Sequence, residues 1–208
     1  MTEQTDRRIR LLVADIDGCL SAGSITNFSP KLMKRLQEVN LLSRSDLDYP
    51  AVTVCTGRPQ PYVECLLQVT HGYMPALCEG GSIFYDPTDH RVSMHPAFGM
   101  REQRLLAKLR EAVSDEIITD GIMYEPGKVT HITMLFTPPL KPLDFMEQAA
   151  VIAARFGEEF EVDHTRICIT SCFATCTRAR VWNGWCSTRA SLPRRWQALA
   201  MRDLMCPS

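Results

Sequence analysis

The run Ile9 to Ile16, read IRLLVADI, is a nearly continuous apolar stretch that closes on an acidic, glycine-containing turn, Asp15-Ile16-Asp17-Gly18. A run without polar alternation predicts a central strand covered on both faces. The turn then places two carboxylates at the carboxyl end of that strand. Ser29 and Pro30 supply an N-cap and a first-turn proline for a helix from Lys31 to about Leu42, on which Leu32, Leu36 and Val39 share a face. The unit repeats at once. Ala51 to Cys55 is a short β-branched run stopping at Thr56-Gly57-Arg58-Pro59, and Tyr62 to Val69 reads as a second helix. Short strands at Pro75–Cys78 and Ser82–Tyr85 flank Glu79-Gly80-Gly81. Such alternation predicts an α/β fold whose doubly wound parallel sheet binds ligands beyond the carboxyl ends of its strands.

From about Asp86 the pattern changes to a helix at Arg101–Val113, a strand at Val129–Phe136 and a linker punctuated by Pro138, Pro139 and Pro142. A helix at Leu143–Phe156 and strands near Phe160–Val162 and Arg166–Thr170 follow. The division this predicts is a Rossmann-like core over residues 1–85, an inserted α+β cap over 86–165, and a return to the core over 166–208. Beyond Thr170 the patterning lapses: Cys172 to Ser208 carries scattered tryptophan, arginine and cysteine and one weak helical patch, Arg194 to Met205. That stretch is expected to be irregular or loosely helical, with no strand bringing a carboxylate towards Asp15.

At 208 residues, 45% apolar and 23% charged, the chain can bury a core of this kind without disulfides. A net charge of −1 provides no basic field for a nucleic-acid backbone or an anionic membrane, so an anionic ligand has to be held locally. No window approaches eighteen unbroken apolar residues, which predicts no membrane span. The polar start, Met1 to Arg10, lacks an apolar signal segment, so the nine cysteines read as thiols of a cytoplasmic protein.

Asp15 and Asp17, one residue apart, fall on one side of an extended chain. Two carboxylates so close repel unless a cation or a shared proton compensates, which suggests a Mg²⁺ site. For a bare D-x-D-G turn, two solvated carboxylates are an equal reading. The second loop shifts the balance: Thr56 follows a buried strand, and Gly57 lets the backbone approach a ligand, so hydroxyl and amide donors can hold phosphate at a helix N-terminus. Cys168, Cys172 and Cys176 match no metal-binding spacing and read as incidental. His71, His90, His95, His131 and His164 form no ligand pair, leaving surface or cap roles as the default, and Trp182 and Trp185 lack the aromatic platform of a nucleic-acid site.

At Asp15-Ile16-Asp17-Gly18-Cys19-Leu20 and Val54-Cys55-Thr56-Gly57-Arg58-Pro59 the chain resembles the haloacid dehalogenase superfamily. Met74 to Phe84 looks like the branch with a cap inserted after the third strand, which includes phosphoglycolate, sucrose-phosphate and mannosylphosphoglycerate phosphatases. The resemblance implies hydrolysis of a small phosphorylated metabolite with Mg²⁺. Asp15 would be the nucleophile and a metal ligand. Asp17 would be the general acid and base, its backbone carbonyl also reaching the metal, and Thr56, Gly57 and Arg58 would hold the phosphate. The family also needs a lysine after the cap and a Gly-Asp-x-x-x-Asp loop. Neither occurs after Thr170, and Lys141 is the last lysine. A change of reading frame would account for both losses: Leu199 to Pro207, back-translated and read two nucleotides on, can give GDARSDVP, and the same operation over Thr177 to Ala198 can give KGTSLEWLVFDKGIPAEKVASV, which supplies the lysine. The alternative expectation is an impaired relative that binds phosphate or metal without efficient turnover.

Overall fold

The computed structural model describes residues 9–23, 26–165 and 168–173. The elements run β1 (Leu11–Ala14), α1 (Pro30–Leu42), β2 (Ala51–Val54), α2 (Gln60–Val69), β3 (Ala76–Cys78), β4 (Ile83–Asp86), β5 (Arg91–Met94), α3 (Met100–Glu116), β6 (Ile122–Tyr124), β7 (Ile132–Phe136), α4 (Met146–Ala154), β8 (Phe160–His164) and β9 (Cys168–Phe173). Short 3₁₀ turns occupy Glu79–Gly81 and Pro142–Phe145.

β1 and β2 pair in parallel, and a parallel bridge from Cys55 to Leu77 links β2 to β3. The sheet then turns antiparallel through β3, β4 and β5. β2, β3 and β4 are buried at every position, and β2 lies between β1 and β3. β2 is pinned from α1 by the buried Asn40, whose side chain accepts from Val52 N at 2.8 Å and donates to Thr70 O at 3.0 Å. β1 departs from expectation. It spans four residues, and Leu12 is 49% exposed, so the apolar run is covered on one face, where Leu11 and Val13 pack. α1 begins as the proline predicts, but Ser29 caps with its backbone carbonyl, accepting from Met33 N at 3.0 Å, and makes no side-chain cap.

Strand alternation divides the core between two neighbours. Ala76, Cys78, Ile83 and Tyr85 pack with Val63, Leu66 and Leu67 of α2. The intervening Leu77 and Phe84 join a second cluster with Leu106, Leu109 and Val113 of α3 and Ile132, Met134 and Ile169 of a second sheet. That sheet has the order β6-β7-β9-β8, antiparallel throughout. The insert therefore lies against one face of the β3–β4 hairpin.

Two strands escaped the sequence reading. β5 is an exposed edge strand whose pairing with β4 adds residues 91–94 to the core sheet, and β6 is only three residues long. β9 runs to Phe173 between β7 and β8, so Cys172 and Phe173 are strand residues of the insert's sheet, not the start of an irregular return. The expectations for the rest of the tail, including Cys176, Trp182, Trp185 and the lost acidic loop, lie outside the described residues.

Candidate active site

The register of β1 and β2 sets the site. Ala14 stands opposite Val54, and Cys55 N donates to Ala14 O at 2.9 Å. Asp15 and Thr56 therefore leave adjacent parallel strands at the same carboxyl end. In the first loop the Ile16 carbonyl accepts from Leu20 N and Ser21 N, each at 2.9 Å, and Gly18 N donates to Ser21 O at 2.8 Å. The turn needs Gly18 at φ 86°, a conformation that a Cβ disfavours. Ile16 is fully buried and anchors the turn, while Asp15 and Asp17 on either side of it are half-buried. Asp15 Oδ1 accepts from Ile16 N at 2.7 Å.

In the second loop Thr56 is fully buried, and its hydroxyl oxygen accepts from Arg58 N at 3.3 Å. Arg58 reaches across to the first loop. Its Nε donates to Asp17 Oδ2 at 2.8 Å and its Nη2 to Oδ1 at 3.0 Å, the two-pronged pairing that a guanidinium makes with a carboxylate. Nη1 donates to Glu125 Oε1 at 2.9 Å, and the guanidinium lies over the Tyr62 ring, 5.0 Å from its centroid. Burial opposes the charge on Arg58, but Asp17 and Glu125 outweigh it and hold the guanidinium above its usual pKa. Arg58, expected to hold phosphate, is thus shared by two carboxylates.

Glu125 belongs to the insert, and its second oxygen meets Lys128 Nζ at 2.8 Å. Lys128 also donates to Thr133 Oγ1 at 2.7 Å, which lies 3.0 Å from Thr170 Oγ1. A chain of alternating charge thus runs from Asp17 through Arg58 and Glu125 to Lys128, crossing from core to insert. The third core loop joins it. Gly80 N donates to Thr56 O at 2.9 Å and Glu79 N to Arg58 O at 3.0 Å. The Glu79 side chain, fully buried, accepts from Val129 N, Thr130 N and Thr130 Oγ1. Ser82 Oγ lies 3.2 Å from Nε2 of His131, a buried junction histidine.

Sequence reading placed Asp15, Asp17, Thr56, Gly57 and Arg58 around one rim, and those loops are adjacent. Glu79, Glu125 and Lys128 went unassigned. A faint signal existed for the last two: Glu125-Pro126-Gly127-Lys128 puts opposite charges three residues apart on a turn.

No protein-family model matches the chain, and no curated protein matches it. Solved structures do. A haloacid dehalogenase-like hydrolase from Bacteroides thetaiotaomicron superposes with TM-score 0.64 at 11% identity, over 88% of this chain and 78% of that one. The sucrose-phosphatase of Synechocystis gives TM-score 0.59 at 15% identity, over 90% and 73%. The C-terminal domain of trehalose-6-phosphate phosphatase from C. albicans gives 0.64 at 18% identity, over 90% and 65%. At such identities the likeness establishes the fold, and the fold is that of the haloacid dehalogenase-like hydrolases.

The donor set is compatible with Mg²⁺, which keeps several waters and takes one or two carboxylates together with substrate phosphate. The Asp15 carboxylate and the Asp17 backbone carbonyl are the candidate ligands; the Asp17 carboxylate, expected to take part, is bound to Arg58. Among the described residues no group of three or more His, Cys, Asp or Glu side chains could hold a metal, and no helix is long and apolar enough to cross a membrane.

Proposed function

We propose that the chain hydrolyses a small phosphorylated metabolite, a phosphate monoester, with Mg²⁺ and through an aspartyl-phosphate on Asp15. The observation that carries this reading is the side-by-side exit of the Asp15–Asp17 and Thr56–Gly57 loops from two parallel strands in register. Asp15 would attack phosphorus, and the leaving oxygen would take its proton from Asp17. Asp17 would then remove a proton from the water that cleaves the acyl phosphate. Thr56 and the Gly57 amide would hold the non-bridging oxygens. Bound Mg²⁺ would supply charge to offset phosphate beside two carboxylates.

Arg58 ties acid to ligand. A protonated Asp17 cannot receive the guanidinium as a carboxylate does, and an arriving phosphate offers Arg58 an alternative anion. Phosphate binding therefore favours release of Asp17 for its proton transfer. The sugar-phosphate names of two structural neighbours suggest sugar phosphates as the first substrates to try.

The test is turnover of p-nitrophenyl phosphate with and without Mg²⁺, followed by a sugar-phosphate panel. Mg²⁺-dependent release of phosphate is expected; its absence from correctly folded protein overturns the reading. The sequence has no lysine after Lys141 and no Gly-Asp-x-x-x-Asp loop after Thr170, which favours the second reading, an impaired relative that binds phosphate without efficient turnover. Phosphate binding without hydrolysis would identify it.

A further inference from the structure

Glu79 is a carboxylate with no solvent contact, and the ligands it holds come from the insert. Its Oε1 accepts from Val129 N at 3.0 Å; its Oε2 accepts from Thr130 N at 2.8 Å, Thr130 Oγ1 at 2.6 Å and Val129 N at 3.2 Å. Thr130 is fully buried too. A buried charge is tolerable only when its oxygens are satisfied, so these donors are a condition of burial. The backbone of Glu79 is also unusual, with φ 47° in the left-handed region, followed by Gly80 at φ 67° and Gly81 at φ 101°. Glycine is the cheap residue there, and a glutamate persists only where its surroundings over-determine it. Two backbone bonds do so, from Glu79 N to Arg58 O and Gly80 N to Thr56 O. The turn that aims Glu79 at the insert is therefore built on the second catalytic loop.

The insert loop touches the same rim at neighbouring points. Glu125 holds Arg58, and a Cβ on Gly127 would sit 3.5 Å from Pro59 Cβ. Thr56, proposed to meet phosphate, is fully buried. We propose that Glu79 is a positioning residue: by clasping Val129 and Thr130 it seats the 125–131 loop on the rim, and so fixes where Glu125 and Lys128 stand relative to Arg58 and to the leaving group of a bound ester. The activity arm of the test rests on the hydrolase reading; the seating arm does not.

Amide hydrogen exchange at Val129 and Thr130 tests the seating in the full chain. A charge-assisted hydrogen bond is worth about tenfold or more in an opening equilibrium. Thr130→Val and Glu79→Gln are therefore expected to speed exchange at these amides about tenfold, while Leu109 and Ile152 in α3 and α4 keep wild-type rates. Thr130→Ser, which retains the hydroxyl, should restore protection. Where Glu79→Gln does not fold, Thr130→Val and Thr130→Ser carry the comparison. Equal exchange in wild type and Thr130→Val overturns the seating. In active protein, Thr130→Val should raise KM for a sugar phosphate about tenfold while kcat for p-nitrophenyl phosphate stays within about twofold, because the smaller ester offers the insert little to hold. An unchanged KM beside faster exchange makes Glu79 a structural contact only and overturns the positioning role. Wild-type protein without turnover would sink the hydrolase reading and leave the exchange result to stand by itself.

Discussion

Arg58 makes three hydrogen bonds to two carboxylates, one in the core and one in the insert, and the roles of Asp15 and Asp17 are best separated with that pairing in mind. On the proposed mechanism, Asp15→Asn removes the attacking oxygen while keeping the size and shape of the side chain, so turnover is expected to vanish while circular dichroism and the denaturation midpoint hold. Wild-type levels of Mg²⁺-dependent phosphate release from this variant would reject Asp15 as nucleophile. On the same proposal Asp17→Asn removes the proton shuttle and should slow both steps, by about 10²–10⁴-fold. If both steps slow unequally, with water attack hit harder, an aspartyl-phosphate accumulates and can be trapped by rapid quench and released by hydroxylamine; kinetics unchanged from wild type would end the assignment. At this scale the sequence was informative wherever chemistry is local. Asp15 and Asp17 share a turn, and Thr56 and Gly57 share another. Glu125 was not legible because its partner Arg58 lies 67 residues away, and no periodicity in the chain encodes that meeting. Glu79 was hidden for the same reason, its donors lying 50 and 51 residues on.

Among the elements, α3 shows why most of the insert could be read. Leu106, Leu109 and Val113 recur at helical spacing, and all three are buried. The helix also starts cleanly, because the Glu102 carboxylate accepts the Gly99 amide at 2.9 Å. Leu109 is fully buried in the cluster that joins insert and core. Leu109→Ala is expected to cost about 2–5 kcal/mol, the range for emptying a packed leucine site; urea unfolding measures it, and a loss below about 1 kcal/mol would mean the cluster closes around the gap. β5 and β6 were missed for opposite reasons. β5 exposes Val92 and Met94 at a sheet edge, where burial imposes no alternation, and β6 is too short to carry a period. The parallel character expected of the whole core holds from β1 to β3 and fails at the Glu79–Gly81 turn, where two glycines at positive φ reverse the chain into a hairpin.

Across the whole molecule, core and insert share one apolar cluster and a polar junction, so a group at their boundary should report on both. His95 lies there, its backbone amide donating to Ser82 O at 2.8 Å and its Nδ1 accepting from Ala97 N at 3.2 Å. Burial lowers its pKa below the usual 6.5. A base whose folded pKa is depressed contributes stability that is present above 6.5 and lost as pH falls through the lower folded value. The urea midpoint should therefore decline as pH falls below 6.5, and His95→Asn should flatten part of that decline. An identical pH slope in the variant would place the titration elsewhere.

The position of β9 bears on how the molecule is made. β8 has β9 as its sheet partner, and β9 separates β8 from β7. On the ribosome, then, β6 and β7 can form their hairpin early, but β8 emerges with nothing to pair with until residues 168–173 have left the exit tunnel and settled beside β7 and β8. The insert closes last, by intercalation of its final segment. A nascent chain halted just after His164 would display two open strand edges, whereas eight or nine further residues convert those edges into an interior.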